Sequence, residues 1–107
     1  MTKEEVYDIV KSIPAGMVMT YGDVARAAGY PRGARSVGRL LHQNKTPFVV
    51  PCHRVLFADG STSPAFVFGG DDLQRQWLES EGVTFIGDKV DMKKHLFFPA
   101  RDYKEKI

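Results

Sequence analysis

Five residues, Gly29-Tyr30-Pro31-Arg32-Gly33, constrain this chain more than any others. Two glycines and a proline interrupt helix, so helical segments on either side are cut short. On the near side Thr20 is a cap candidate, with Asp23 three positions on, and a short helix runs to Ala28. On the far side a helix from about Ala34 to Gln43 buries Val37, Leu40 and Leu41. Ala25, Ala27 and Ala28 are small enough to let the two helices pack closely, with Val24 as the larger contact. Two short helices around a brief turn form a helix-turn-helix pattern, and the second is the candidate recognition helix. Upstream, Thr2-Lys3-Glu4-Glu5 fits a capping box. Val6, Ile9, Val10 and Ile13 follow at helical spacing, which predicts a first helix stopped at Pro14.

The second half of the chain reads differently. Phe48-Val49-Val50 is a short apolar run expected as a buried strand or extended segment. Val55-Leu56-Phe57 and Ala65-Phe66-Val67-Phe68 flank Asp59-Gly60, the pattern of a wing-like hairpin. A last helix starts at Asp71 or Asp72, buries Leu73, Trp77 and Leu78, and stops at Gly82. Val83-Thr84-Phe85 and Val90-Asp91-Met92 suggest a terminal hairpin around Gly87-Asp88, and Arg101 to Ile107 a charged, mobile tail. The expected fold is mainly α with small β elements, a winged helix-turn-helix-like domain. At 107 residues, one domain is expected to occupy the whole chain.

Charge sharpens the reading. Fifteen basic and thirteen acidic residues sum to +2, but the 35 residues from Val24 to Ala58 contain no Asp or Glu. That stretch holds Arg26, Arg32, Arg35, Arg39, Lys45 and Arg54, with His42 and His53. It is either a phosphate-binding face or a solvated surface whose acids lie elsewhere. Arg35 and Arg39 stand one turn apart on the third helix, beside its apolar stripe. No apolar run approaches the ~18–20 residues of a membrane span, and Met1-Thr2-Lys3-Glu4-Glu5, acidic and without an apolar stretch, is not expected to act as a signal peptide.

Cys52 is the single cysteine, which excludes an intrachain disulfide and suggests a reducing, cytoplasmic setting. A lone cysteine is either a small buried hydrophobe or a nucleophile. Its neighbours, Pro51-Cys52-His53-Arg54-Val55, supply an imidazole and a guanidinium, both of which favour a thiolate. In a regular strand Cys52 and His53 would face opposite ways, so the pair needs a turn at Pro51-Cys52. A third group must orient the imidazole, and Glu79 and Glu81 are the candidates. His42, His53 and His95 show no zinc-ligand spacing, and no glycine-rich phosphate loop is present, so neither metal nor cofactor is expected.

These residues resemble a known family. Pro51-Cys52-His53-Arg54-Val55 is similar to the active-site signature of the O6-alkylguanine-DNA alkyltransferases. Thr20-Tyr21-Gly22-Asp23-Val24-Ala25 resembles the family's T-Y-G-x-[VI]-A segment, and Ala34-Arg35-Ser36-Val37-Gly38 its A-R-x-V-G helix start. Asn44 stands eight residues before Cys52, as in the family, and Leu78-Glu79-Ser80-Glu81-Gly82 resembles its L-x-x-E-G end.

The resemblance implies a partner, double-stranded DNA containing O6-alkylguanine, and a role for each matching residue. Tyr21 would press on the phosphate 3′ to the damaged base. Arg35 would fill the gap left in the stack, with Thr20, Ser36 and Arg39 completing the DNA contacts. Cys52 would accept the alkyl group. His53 would take its proton through a water, and Glu81 would orient His53. Asn44 would tie the recognition helix to the active-site turn, and Pro51, Arg54 and Val55 would line the guanine pocket. Flipping is required because a base inside a duplex cannot reach a nucleophile.

Three departures from the family pattern bear on activity. The chain corresponds to the DNA-binding half of the longer alkyltransferases. The stretch Gly60 to Gly70 is about two residues longer than the family's G-x-x-x-N-Y-S-G-G-like loop and lacks its Tyr-Ser pair. Leu73-Gln74-Arg75-Gln76 and the ending after Met92 resemble the alkyltransferase-like proteins, which bind the lesion without repairing it and generally replace the cysteine. Two functions therefore stand. One is irreversible alkyl transfer to Cys52; the other is a non-enzymatic sensor that recruits nucleotide excision repair proteins. Either is expected to be monomeric and to work with DNA, in cytoplasm, nucleoid or nucleus.

Overall fold

The computed structural model describes residues 1–98. The charged tail from Arg101 lies outside them. Helix α1 spans Lys3–Lys11 and opens on the anticipated capping box: Thr2 N–H donates to Glu5 Oε1 at 2.7 Å, and Glu5 N–H to Thr2 Oγ1 at 3.2 Å. Val6, Val10 and Ile13 on one face are completely buried. Each such side chain contributes up to about 1.5–3 kcal/mol by leaving water.

Strand β1 (Met19–Thr20) leads directly into α2 (Tyr21–Ala27), whose N-cap is Thr20. Its hydroxyl accepts from Asp23 N–H at 3.0 Å. The break follows. Gly29 takes φ +89, and Tyr30 N–H reaches back to Ala25 C=O at 2.9 Å, closing the end of α2. Gly33 N–H bonds Tyr30 C=O at 2.8 Å, and α3 (Ala34–His42) begins. Val24 and Ala25 of α2 share one core with Val37 and Leu41 of α3 and with Val6 and Val10 of α1. The helix-turn-helix forms where the sequence places it.

The β elements differ from expectation. Phe48-Val49-Val50 is a turn, with Phe48 and Val49 exposed and only Val50 buried. Phe48 has φ +67, a conformation that excludes it from a strand. Strand β2 (Val55–Leu56) does not pair with 65–68. It pairs in parallel with β1, Met19 against Val55 and Thr20 against Leu56. Residues 57–61 form a tight turn, and 64–69 are turns that lead into α4 (Gly70–Ser80). The hairpin observed is the terminal one, β3 (Phe85–Ile86) against β4 (Lys89–Val90). A short α5 (Met92–His95) follows, so α4 is not the last helix. No helix among the described residues is long and apolar enough to cross a membrane.

The parallel β1–β2 pair matters most for function. It fixes the start of α2 beside the chain leaving Cys52, so Tyr21 meets Phe57 with ring centroids 5.5 Å apart. The helix-turn-helix itself depends on Gly29. A Cβ there would touch nothing within 4 Å, so its cost is backbone strain alone. Gly29→Ala is expected to lower unfolding free energy by about 1 kcal/mol in urea titration, with an unchanged m-value.

Candidate active site

Cys52 sits in a turn of 3-10 helix, Cys52–Arg54, entered through Pro51 at φ −79. Cys52 N–H bonds Val50 C=O at 2.7 Å and Arg54 N–H bonds Pro51 C=O at 2.9 Å. This is the bend that a neighbouring Cys–His pair requires. Asn44, buried just after α3, holds it in place. Its Oδ1 accepts from Thr46 N–H and Oγ1 at 3.0 and 3.1 Å. Its Nδ2 donates to Val50 C=O at 2.8 Å and reaches Cys52 Sγ at 3.4 Å. Burial pushes the Cys52 thiol pKa up, and the Asn44 contact pulls the other way because it favours the thiolate.

Beyond the thiol, His53 is completely buried. Its Nε2 lies 3.1 Å from Glu81 Oε1, yet neither ring nitrogen makes an aligned hydrogen bond among the described residues. Phe48 and Trp77 meet the imidazole edge to face, at 5.0 and 5.5 Å. Burial lowers the His53 pKa, only partly opposed by Glu81, so the ring is neutral at pH 7 and able to accept a proton. Of the two candidate carboxylates, Glu79 is exposed and pairs with Arg75 at 3.4 Å, while Glu81 reaches His53.

Glu81 is shared. Arg54 Nε and Nη2 donate to its two oxygens at 2.9 and 2.5 Å, and Arg54 Nη1 donates to Ile13 C=O at 2.7 Å. Burial raises the Glu81 pKa, but Arg54 and His53 outweigh it and hold the carboxyl below its ordinary value. Arg54 therefore faces away from the cysteine, as a bridge between the end of α1 and the end of α4.

A cleft of about 780 Å³ opens over Cys52. Tyr21, Arg35 and Arg39 line it on the helix-turn-helix side, and Phe57, Ser63 and Phe66 on the other. Burial pushes the Tyr21 phenol pKa up, with Ser63 pulling the other way. Ser36 lies instead on a second groove of α3 that shares Arg39, beside exposed Tyr30. Thr20 is buried as the α2 cap. Of the three residues expected to line the guanine pocket, Pro51 is buried in the turn, Val55 is fully buried in β2, and Arg54 is bound to Glu81. None of them lines the cleft.

The walls of the pocket come from residues that sequence reasoning missed: Phe57, Ser63, Ala65, Phe66 and Val67. Gln74 was missed as well. It is the lone polar side chain on the stripe that buries Leu78, and that mismatch was its available signal. Among the described residues no group of His, Cys, Asp and Glu is arranged to hold a metal ion.

A helix-turn-helix whose second helix borders a cleft over a nearly buried cysteine defines a class: a DNA-binding domain with a pocket set beside its helix-turn-helix. Residues 1–83 match the model of the 6-O-methylguanine DNA methyltransferase, DNA binding domain, and the chain belongs to that family.

Three similar proteins frame it. A bifunctional methyltransferase/endonuclease of Thermoplasma volcanium is 54% identical over 99 residues, 92% of this chain and 30% of that protein's length. A DNA base-flipping protein of Escherichia coli is 42% identical over 95 residues, 86% of this chain and 70% of that protein. The crystal structure of S. pombe Atl1 in complex with damaged DNA containing O6-carboxymethylguanine superposes with a TM-score of 0.77. It is 33% identical and covers 91% of this chain and 94% of that one.

The Asn44 contact has a measurable consequence. In Asn44→Ala the thiolate loses its one side-chain donor, so the Cys52 pKa is expected to rise further. Thiolate absorbance followed against pH would show the titration displaced to higher pH relative to the wild type, and iodoacetamide would react more slowly at pH 7.

Proposed function

We propose that this protein repairs DNA by rotating O6-alkylguanine out of the duplex into the cleft and taking the alkyl group onto Cys52. The observation that carries this is the cleft itself. A nearly buried thiol lies at its base, and Arg35 and Tyr21 of the helix-turn-helix line it. Its volume is in the usual range for a small-molecule site, about 300–1,000 Å³. The names of the Thermoplasma and E. coli relatives, a methyltransferase and a base-flipping protein, support the two halves of the reading.

The chemistry needs no cofactor. The Cys52 proton passes through a water to neutral His53, which can return it to the departing guanine. The thiolate forms a C–S bond to the alkyl carbon as the C–O6 bond breaks, and guanine leaves as an anion that takes up one proton. The thioether is stable, so each molecule acts once. Arg35 suits the vacated stack because its guanidinium is planar, cationic and weakly hydrated. The acid-free stretch from Val24 to Ala58 places Arg32, Arg35 and Arg39 on and before α3, where phosphate contacts would give salt-dependent affinity.

One observation favours a second reading. The likeness to Atl1 runs over nearly the full length of both chains. On that reading the protein holds the lesion in the cleft without transfer and marks it for excision repair. The raised thiol pKa is consistent with it, since little thiolate exists at pH 7.

Intact-protein mass spectrometry after incubation with an O6-methylguanine duplex separates them. Transfer predicts a gain of one methyl group, abolished in Cys52→Ser. Tight lesion binding with unchanged mass would leave only the sensor.

A further inference from the structure

Gln74 is fully buried in α4, and its amide is almost completely used. Nε2 donates to two carbonyls of the reactive turn and its exit, His53 at 3.0 Å and Val55 at 2.9 Å. Oε1 accepts from the backbone N–H of Ser63 at 2.8 Å. The amide orientation follows from the partners: two carbonyls need two N–H donors, and one N–H needs an oxygen. Neither Glu in its charged form nor Met supplies both.

The three partners belong to the two sides of the cleft. His53 lies within the turn that carries Cys52, and Val55 stands at its exit. Ser63 begins the facing wall: its hydroxyl accepts from Ala65 N–H at 3.2 Å, and its carbonyl from Phe66 N–H at 3.1 Å. Ser63, Ala65 and Phe66 all line the cleft. The Phe66 ring also packs on Trp77, centroids 5.5 Å apart, but an apolar contact sets no register. Among the described residues, the side-chain hydrogen bonds that join wall and turn are those of the Gln74 amide.

We propose that Gln74 is a positioning residue that locks the cleft wall to the Cys52 turn, so that a flipped base meets a gap of preset width. The proposal rests on the functional reading above. A preformed gap favours the lesion because no ordering cost remains to be met on binding. Contacts of α3 with undamaged duplex do not pass through Gln74, so they are untouched.

The test measures two dissociation constants in a Cys52→Ser background, where no transfer consumes the lesion. One duplex carries a single O6-methylguanine; the other is its unmodified match. Gln74→Met is expected to reduce the preference for the lesion about tenfold while leaving affinity for the unmodified duplex unchanged. General destabilisation would weaken both. A preference retained in Gln74→Met overturns the proposal alone; absence of preference in the parent protein overturns the functional reading and the proposal with it. Hydrogen exchange on the wild-type protein tests the lock whether or not the variant folds. The Ser63 amide should open with the same free energy as the Arg54 amide. A Ser63 amide that opens independently contradicts it.

Discussion

The tight turn from Val50 to Arg54 is the constraint on which the rest depends. Such a turn leaves backbone carbonyls without partners in a buried place, and each must be satisfied. Side chains from two directions do so. Asn44 of the segment after α3 takes Val50 C=O, and Gln74 of α4 takes His53 and Val55 C=O. Arg54 leaves the turn to join Glu81 and Ile13 C=O, binding α1 and α4 to it. The turn in turn launches β2, whose parallel pairing with β1 sets the position of Tyr21 at the start of α2. Removing any one anchor would expose an unpaired buried polar group, at a cost of about 1–3 kcal/mol.

The same burial shapes the chemistry. It raises the thiol pKa and lowers the imidazole pKa, so both groups are neutral in the resting site. A neutral pair avoids the penalty of two buried charges. Asn44 offers the thiolate a donor, and Arg54 already neutralises Glu81. The negative carboxylate that would stabilise imidazolium is therefore half committed elsewhere.

Helices and caps were legible because their signals are local. Thr2 with Glu5, Thr20 with Asp23, and Gly29 act within one turn of chain, and each appears as read. The terminal hairpin around Gly87 was legible for the same reason. The wing-like hairpin was not, because β2 finds its partner far upstream in β1 rather than across the Asp59-Gly60 turn. Phe48 misled by composition: its positive φ accompanies packing on His53 and Trp77, contacts no local pattern encodes. Cys52, His53 and the pair of candidates Glu79 and Glu81 came from the residues themselves, Asn44 and the choice of Glu81 from the resemblance. Asn44, Cys52, His53 and Glu81 converge on one turn. Arg54 and Val55 belong to the scaffold, and the cleft wall from Phe57 to Val67 stayed hidden because its contacts, such as Ser63 N–H to Gln74, come from a distant helix.

The central claim is that the lesion leaves the helix and enters the cleft between α3 and the 57–67 segment. A crystal structure of the Cys52→Ser variant on a duplex with one O6-methylguanine tests it most directly. The account predicts the modified base outside the stack, its methyl group against residue 52 and the Arg35 side chain in the vacated space. A lesion still stacked in the duplex, or a flipped base lodged away from residue 52, would contradict it.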